Sequence, residues 1–166
     1  MKKVKIIFAA ILLFISAYGL EINKKDITTI TSTEGKEITV KKIDKGILFK
    51  EFKGKIVLLE VYGDSCPHCI RAIEPYNKLQ KKYKDDIVII AIETYGALTN
   101  LNKQKYITIP KNGAGDIFKY IKDTTGYAKQ IVPYLMIFDK DGKFVYHKAV
   151  ANINKVESVI KTLLKK

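Results

Sequence analysis

Two continuous apolar runs with many β-branched residues mark the centre of the predicted fold. Residues 55–62 and 87–92 have the length and composition of strands that are covered on both faces. Between them, apolar side chains recur at helical spacing, so a helix is predicted from Cys66 to about residue 84. Strand, helix and strand in this order predict a right-handed βαβ unit with a parallel strand pair.

Shorter elements are predicted on both sides of this unit. They are strands over residues 37–40, 46–49, 134–138 and 143–148, and helices over residues 116–122 and 154–164. The last two strands are joined by an Asp-Gly turn, which predicts an antiparallel hairpin. Together the pattern indicates an α/β fold with a central mixed sheet flanked by helices.

Residues 1–19 have the three-part layout of a secretory signal peptide. Three lysines form a positive head, residues 6–15 are apolar, and residues 16–19 offer small side chains for cleavage. The alternative is a retained membrane anchor, although the apolar run is short for a span of about 20 residues. We expect a periplasmic protein with an N-terminal extension over residues 20–36, irregular or a weak edge strand, and a folded domain over residues 37–166.

The strongly basic composition indicates a lysine-rich solvated surface. The net charge is +13, but it comes almost entirely from lysines spread along the chain, and Arg71 is the only arginine. Bidentate recognition of phosphate or guanine favours arginine, so the pattern indicates a solvated surface and no nucleic-acid partner. Attraction to acidic membrane surfaces stays compatible with it. The sequence shows no dimerisation segment, so we expect a monomer.

Cys66 and Cys69 are the only two cysteines, and their spacing indicates chemistry. A disulfide between them would close a very short loop and so contribute little to stability. The preceding strand delivers Cys66 to a helix N-terminus, where unpaired N–H groups stabilise a negative sulfur, and Pro67 suits the first helical turn. His68, if protonated, would add a positive charge. A stabilised thiolate makes the disulfide a stronger oxidant, and Cys69 would be the resolving thiol.

Two carboxylates near the cysteine pair bear on this chemistry. Asp64 would oppose a thiolate on Cys66 by like charge, and we expect its side chain to point into water. Glu60 interrupts an apolar strand six residues before Cys66. Buried there with a raised pKa, it could relay a proton to or from Cys69. The alternative for Glu60 is an edge position with solvent access.

A third candidate feature is the dipeptide Val132-Pro133. A cis peptide bond there would place the Val132 backbone against the cysteine pair, where it could pair with an extended substrate peptide. The alternative is an ordinary trans proline at the start of a strand, which is the commoner isomer.

Metal and haem sites fit the cysteine pair poorly. Zinc needs about four ligands, and the part after residue 19 offers only Cys66, Cys69, His68 and His147. Covalent haem requires a histidine directly after the second cysteine, where this chain has Ile70. We therefore expect no metal and no cofactor other than a redox-active Cys66–Cys69 disulfide.

Longer stretches carry a family resemblance. Residues 54–62, leading into the cysteines, and residues 132–142 resemble the exported TlpA/ResA-type branch of the thioredoxin superfamily. The Cys-Pro-His-Cys motif, the valine before Pro133, and Glu60 are similar to DsbA-type periplasmic thiol oxidases. The resemblance implies a thioredoxin-like domain over residues 37–166. It also implies Cys66 as attacking thiol, Cys69 as resolving thiol, Glu60 as buried acid and Pro133 as cis-proline.

The chain also departs from these families. Ser65 stands where thioredoxins usually carry tryptophan, and Pro75 falls one residue later than the usual helix proline. Residues 93–132 form a shorter insertion than the helical subdomain of DsbA, which puts a DsbA-like peptide groove and the same membrane re-oxidase in doubt.

These residues predict a thiol–disulfide oxidoreductase that exchanges disulfides with exported proteins and is served by a membrane redox partner. His68 favours an oxidant. The alternatives are a periplasmic reductant, for cytochrome c maturation or disulfide repair, and a binding or chaperone-like domain with an idle cysteine pair.

Overall fold

The fold consists of one five-stranded sheet, one three-stranded sheet and three α-helices in the residues that the structure describes. The computed structural model describes residues 26–127 and 131–165, and the predicted signal peptide lies outside them. The strands are β1 (Ile27–Thr31), β2 (Glu37–Ile43), β3 (Gly46–Phe49), β4 (Ile56–Tyr62), β5 (Ile87–Glu93), β6 (Ile107–Ile109), β7 (Tyr134–Phe138) and β8 (Phe144–Ala149). The helices are α1 (Pro67–Lys82), α2 (Ile117–Thr125) and α3 (Ile153–Leu164).

The five-stranded sheet is mixed and has the order β6-β5-β4-β7-β8. Strands β4, β5 and β6 are parallel, whereas β7 runs antiparallel to both β4 and β8. Every residue of β4 and β5 is buried, which explains why these strands are continuous apolar runs. The predicted βαβ unit, hairpin and fold class are confirmed.

Alternating side chains of the central strands pack against two different layers. Leu58 of β4 and Ile89 of β5 face helices α1 and α3. There they pack in one cluster with helix side chains such as Leu79 of α1 and Ile160 of α3. Residues of the opposite parity face the three-stranded sheet and helix α2. The period of two along a strand thus builds two cores, one on each side of the sheet.

Within the N-terminal extension, residues 27–31 form an edge strand, which is one of the two alternatives predicted from the sequence. Strand β1 pairs antiparallel with β2, and Ile30 in β1 is fully buried. Strand β2 continues to Ile43, three residues beyond its predicted end. In β1 the buried Ile30 lies between threonines that are partly or fully exposed, so the strand is held by its pairing with β2 and by this buried side chain.

The carboxyl ends of β4 and β5 lie side by side, because parallel pairing aligns Tyr62 with Glu93. Helix α1 begins just after β4, at the same edge of the sheet. The functional residues predicted from the sequence therefore converge at this edge. Among residues 26–127 and 131–165, no helix has the length and apolarity needed to cross a membrane.

Candidate active site

Cys66 occupies the N-cap of helix α1, at the end of a tight turn that follows β4. The backbone N–H of Cys66 donates to the carbonyl oxygen of Gly63 over 2.9 Å. Its Sγ accepts a hydrogen bond from the backbone N–H of Cys69 over 3.4 Å, and Pro67 takes the first turn of the helix. Cys66 is half-buried, so its sulfur is accessible and faces the positive end of a helix.

Cys69 lies one turn deeper and is buried, with 2% of its surface exposed. Burial, followed by the hydrogen bond with Cys66, raises the pKa of the Cys69 thiol well above its ordinary value. Both cysteines are free thiols in the structure. One accessible and one buried thiol in a single helical turn are the arrangement that sequential attack and resolution require.

Glu60 is buried in the middle of the apolar strand β4, and the edge-exposed alternative is wrong. The strand alternation places it on the face that packs against α1, between Leu58 and Tyr62. Its Oε1 atom has no hydrogen-bond partner within the described part of the chain. Burial, and then the charge of Cys66, raises the pKa of Glu60 from 4.5 to about 8. A carboxyl group with this pKa can both give and take a proton near neutral pH.

Tyrosines crowd the space around Glu60 and Cys69. Burial raises the pKa of Tyr62 to about 12 and raises the pKa values of Tyr76 and Tyr106 well above the ordinary tyrosine value, and the charge of Glu60 contributes to all three. Like Glu60 Oε1, the hydroxyls of Tyr62 and Tyr106 are buried and unpaired within residues 26–127 and 131–165. Glu60 Oε1 receives no hydrogen bond from the described residues that would offset the loss of water, so burial is the physical cause of the raised pKa of Glu60.

The peptide bond between Val132 and Pro133 is cis, as predicted, and the trans alternative is wrong. The carbonyl oxygen of Val132 lies 3.7 Å from Cys66 Sγ, within reach of the thiol hydrogen. The carbonyl of Pro133 accepts from the backbone N–H of Val150 over 3.1 Å, which ties this loop to the end of β8. The cis-proline loop is therefore the element that faces the attacking sulfur.

His68 is exposed on the first turn of α1, and its hydrogen bond is made with Arg71 rather than with sulfur. Arg71 Nη2 lies 3.0 Å from His68 Nδ1. A guanidinium group has donors and no acceptor, so the imidazole nitrogen must be the acceptor and carry no proton in this contact. The ring is thus directed toward Arg71, whose guanidinium carries the positive charge of this pair, and not toward Cys66 Sγ.

Asp64 does not point into water, contrary to the sequence-based expectation. It is buried, with 2% of its surface exposed. Its Oδ2 accepts from the N–H (2.7 Å) and the hydroxyl of Thr99, and its Oδ1 accepts from the Asn100 N–H over 3.1 Å. Burial alone would raise the pKa of Asp64, but these hydrogen bonds outweigh burial and lower the pKa. The N–H and hydroxyl donors of the loop replace water, so the Asp64 carboxylate stays ionised although it is buried.

Glu93, at the end of β5, is a site residue that sequence reasoning missed. Its carboxylate accepts from the backbone N–H groups of Asp64 (3.4 Å), Tyr95 (2.8 Å) and Gly96. The signal was present, because an acidic residue that ends a buried strand parallel to β4 must lie beside the residues that end β4.

The candidate zinc ligands are not brought together. His147 lies on β8, where it is hydrogen-bonded with the Tyr134 hydroxyl. In the ranges that the structure describes, no cluster of three or more His, Cys, Asp or Glu side chains could hold a metal ion.

Known proteins similar to this chain are thiol–disulfide oxidoreductases. The thiol-disulfide oxidoreductase ResA of Bacillus thuringiensis subsp. konkukian (strain 97-27) is 32% identical over 158 residues, covering 87% of this chain and 88% of that relative. The ResA of Bacillus cereus (strain ATCC 10987 / NRS 248) is 33% identical over 122 residues, covering 70% of this chain and 62% of the relative. The second match therefore spans less than two thirds of the relative's length. No family model matches the chain.

Solved structures similar to this chain have the thioredoxin-like fold. An exposed lipoprotein thioredoxin of Streptococcus pneumoniae strain TIGR4 superimposes with a TM-score of 0.62 at 17% identity, covering 82% of this chain and 99% of the other. A thioredoxin-like protein from Aeropyrum pernix gives a TM-score of 0.58 at 19% identity, covering 93% and 99%. At these identities the likeness establishes the fold.

Proposed function

Because the chain belongs to the ResA family of thiol–disulfide oxidoreductases in the thioredoxin superfamily, we propose that it reduces disulfides of exported proteins through Cys66 and Cys69. The observation that carries the exchange chemistry is the pairing of a half-buried thiol at a helix N-terminus with a buried thiol directly behind it, and the direction of exchange is argued from the surroundings of Cys66 Sγ below. The redox-active group is the Cys66–Cys69 pair itself.

The reaction proceeds by two thiol–disulfide exchanges. The Cys66 thiolate attacks one sulfur of the substrate disulfide, forming a mixed disulfide, and the second substrate sulfur leaves as a thiolate that takes up a proton. The Cys69 thiolate then attacks Cys66 Sγ, which forms the Cys66–Cys69 disulfide and releases the first substrate sulfur. Two electrons pass from the dithiol to the substrate.

Glu60 supplies the proton acceptor that the second exchange needs. Cys69 is held protonated by burial and must lose its proton before it attacks. Glu60 lies on the same side of the sheet as Cys69 and has a pKa of about 8, so a minor fraction of it is carboxylate at pH 7 and can take up the proton. Proton transfer from Cys69 to Glu60, directly or through water, would activate the resolving thiol without exposing it to solvent.

The reductant is favoured over the oxidant by the surroundings of the Cys66 sulfur. An oxidant needs its thiolate stabilised, since this stabilises the reduced form. Here His68 is the acceptor of an Arg71 hydrogen bond, and the Val132 carbonyl oxygen faces the sulfur. A carbonyl oxygen accepts from a thiol and repels a sulfur anion. The helix N-terminus and the Cys69 N–H act in the opposite direction, and the reduction potential decides between the two.

The working compartment is proposed to be extracytoplasmic. Residues 1–19 have the layout of a signal peptide, and the pneumococcal structural relative is an exposed lipoprotein. A reductant outside the cytoplasm has to be re-reduced after each cycle, so we propose a membrane redox partner as its electron donor. Substrate binding would use the backbone of the half-buried Val132 beside Cys66.

Reduction of a protein disulfide tests the proposal directly. The purified domain with a thiol donor should accelerate the reduction of insulin, whose separated chains precipitate and scatter light. The Cys66→Ser variant should have no activity, and Cys69→Ser should accumulate a mixed disulfide with a protein disulfide substrate, visible on a non-reducing gel. Ser65→Ala is the matched control, because Ser65 is exposed and adjacent. Activity in Cys66→Ser equal to the parent would refute the proposal.

A further inference from the structure

A network of hydrogen bonds attaches the loop of residues 94–100 to the active-site turn. Besides the three donors to its carboxylate, Asp64 accepts through its backbone carbonyl from Asn100 Nδ2 over 3.0 Å. Glu93 holds the near end of the same loop through the N–H groups of Tyr95 and Gly96. The turn that carries Cys66 is therefore fixed to the loop after β5 by two buried carboxylates.

The charges around Asp64 leave its carboxylate without a direct ionic partner in the described structure. Glu93 and Glu60 are also acidic, on the neighbouring strand and on β4 itself. The nearest cation in the network, Lys103 Nζ, donates to Asn100 Oδ1 over 2.8 Å and so reaches Asp64 only through Asn100. Hydrogen bonds from neutral groups keep Asp64 ionised but do not cancel its charge, and a buried charge is screened weakly by solvent.

We propose that Asp64 is a positioning residue that fixes the active-site turn to the loop of residues 94–100 and, as a permanent buried negative charge two residues before Cys66, opposes the Cys66 thiolate and keeps the dithiol reducing. The proposal rests on the reductase function proposed above and identifies a residue of this chain that sets its direction. Asp64 touches no reacting atom and acts through Cys66.

The electrostatic consequence has a definite sign. A negative charge near Cys66 raises the free energy of the thiolate. The disulfide is neutral, so the same charge changes its free energy much less. The reduced form is then less favoured relative to the disulfide, and the pair gives up electrons more readily. Removing the charge should make the protein a weaker reductant.

Asp64→Asn separates this role from a merely structural one. In a Cys69→Ser background, the pH midpoint of Cys66 alkylation by iodoacetamide should fall by about one unit when the charge is removed, since Asp64 is two residues from Cys66 and weakly screened. The two-cysteine proteins are then equilibrated with glutathione at a pH above the alkylation midpoints of both the parent and the variant. The equilibrium should shift about tenfold toward the dithiol in Asp64→Asn, which equals about 30 mV.

Thr99→Ala is the matched control, because it removes one loop donor to Asp64 and leaves the charge. It should loosen the loop, seen as faster amide exchange over residues 94–100, and leave the alkylation midpoint and the glutathione equilibrium unchanged. If Asp64→Asn does not fold, Asp64→Ser replaces it, since a serine hydroxyl can still accept one loop N–H.

An unchanged midpoint and an unchanged glutathione equilibrium in folded Asp64→Asn would overturn the proposal and leave the reductase function standing. Failure of the parent protein to exchange with glutathione at all would instead overturn the proposed function. Equal shifts in Asp64→Asn and Thr99→Ala would assign the effect to loop order and also overturn the charge-based role.

Discussion

Glu60 should make the protein less stable as the pH rises, and Glu60→Gln should remove that loss. The pKa of Glu60 is 4.5 in an exposed chain and about 8 in the folded protein. Between these values the folded state holds a proton that the unfolded chain has released, so the contribution of Glu60 to stability is fully present below pH 4.5 and is lost as the pH rises toward 8. The group is fully buried, so solvent screening does not discount the effect.

The size of the effect follows from the same two pKa values. At pH 7 the unfolded carboxyl lies about 2.5 pH units above its ordinary pKa while the folded one is still mostly protonated. At 1.36 kcal/mol per unit, the lost stability is about 3 kcal/mol. Glutamine resembles the protonated side chain in shape and does not ionise. We therefore expect Glu60→Gln to be about 3 kcal/mol more stable than the parent at pH 7, relative to their difference at pH 4.

Urea unfolding of both reduced proteins at pH 4, 7 and 9 measures this difference, and all other titrating groups cancel between parent and variant. Glu93→Gln is the matched control, because Glu93 is buried at the end of the neighbouring strand but accepts three backbone N–H groups. Losing one of its acceptor oxygens should cost about 1–3 kcal/mol. A Glu60→Gln difference that does not change between pH 4 and pH 9 would refute the reasoning.

Three further predictions follow from individual contacts. Glu60→Gln should slow resolution of the mixed disulfide about 100-fold at pH 7, as expected for loss of a general base, and should change attack by Cys66 little. Stopped-flow mixing separates the two steps, and equal slowing of both would contradict the role of Glu60. Gly63→Ala should cost about 1 kcal/mol, because a Cβ there would lie 2.3 Å from Tyr95 Cε2 and the exposed Tyr95 ring has to move away. Tyr95→Ala should restore most of the loss in thermal unfolding. Gln80→Leu should lower the free energy of unfolding in urea by about 2 kcal/mol. Gln80 accepts from the Ile89 N–H (2.8 Å) and donates to the Ile87 carbonyl (3.2 Å), in the part of β5 that β6 does not pair with. An unchanged free energy would mean that water replaces the side chain.

The sequence predicts the central elements well because their patterns are strong and local. Strand β7 has the predicted bounds, and β4, β5 and α3 differ by a single residue at one end. A buried parallel sheet requires continuous apolar runs, and few other structures produce them. The cis bond before Pro133 is predicted by the family resemblance together with the position of Pro133 directly before a strand.

The surroundings of the cysteines were harder to predict because they depend on contacts between distant residues. Asp64 is polar and follows a strand, so water is its default partner, and only the fold brings Thr99 and Asn100 to it. The partner of His68 is local, three residues along the helix, yet nothing in the spacing says whether the ring turns toward Arg71 or toward sulfur. Side-chain direction at a helix N-terminus is decided by such competing contacts.

The reduction potential of the Cys66–Cys69 pair tests the proposed direction of electron flow most directly. We would equilibrate the purified domain with glutathione or dithiothreitol buffers at pH 7 and quantify dithiol and disulfide by alkylation and mass. The structure predicts a value near that of thioredoxin, about −270 mV, or more negative. A value close to about −120 mV, at the oxidising end of the range, would contradict the reductase and restore the oxidant.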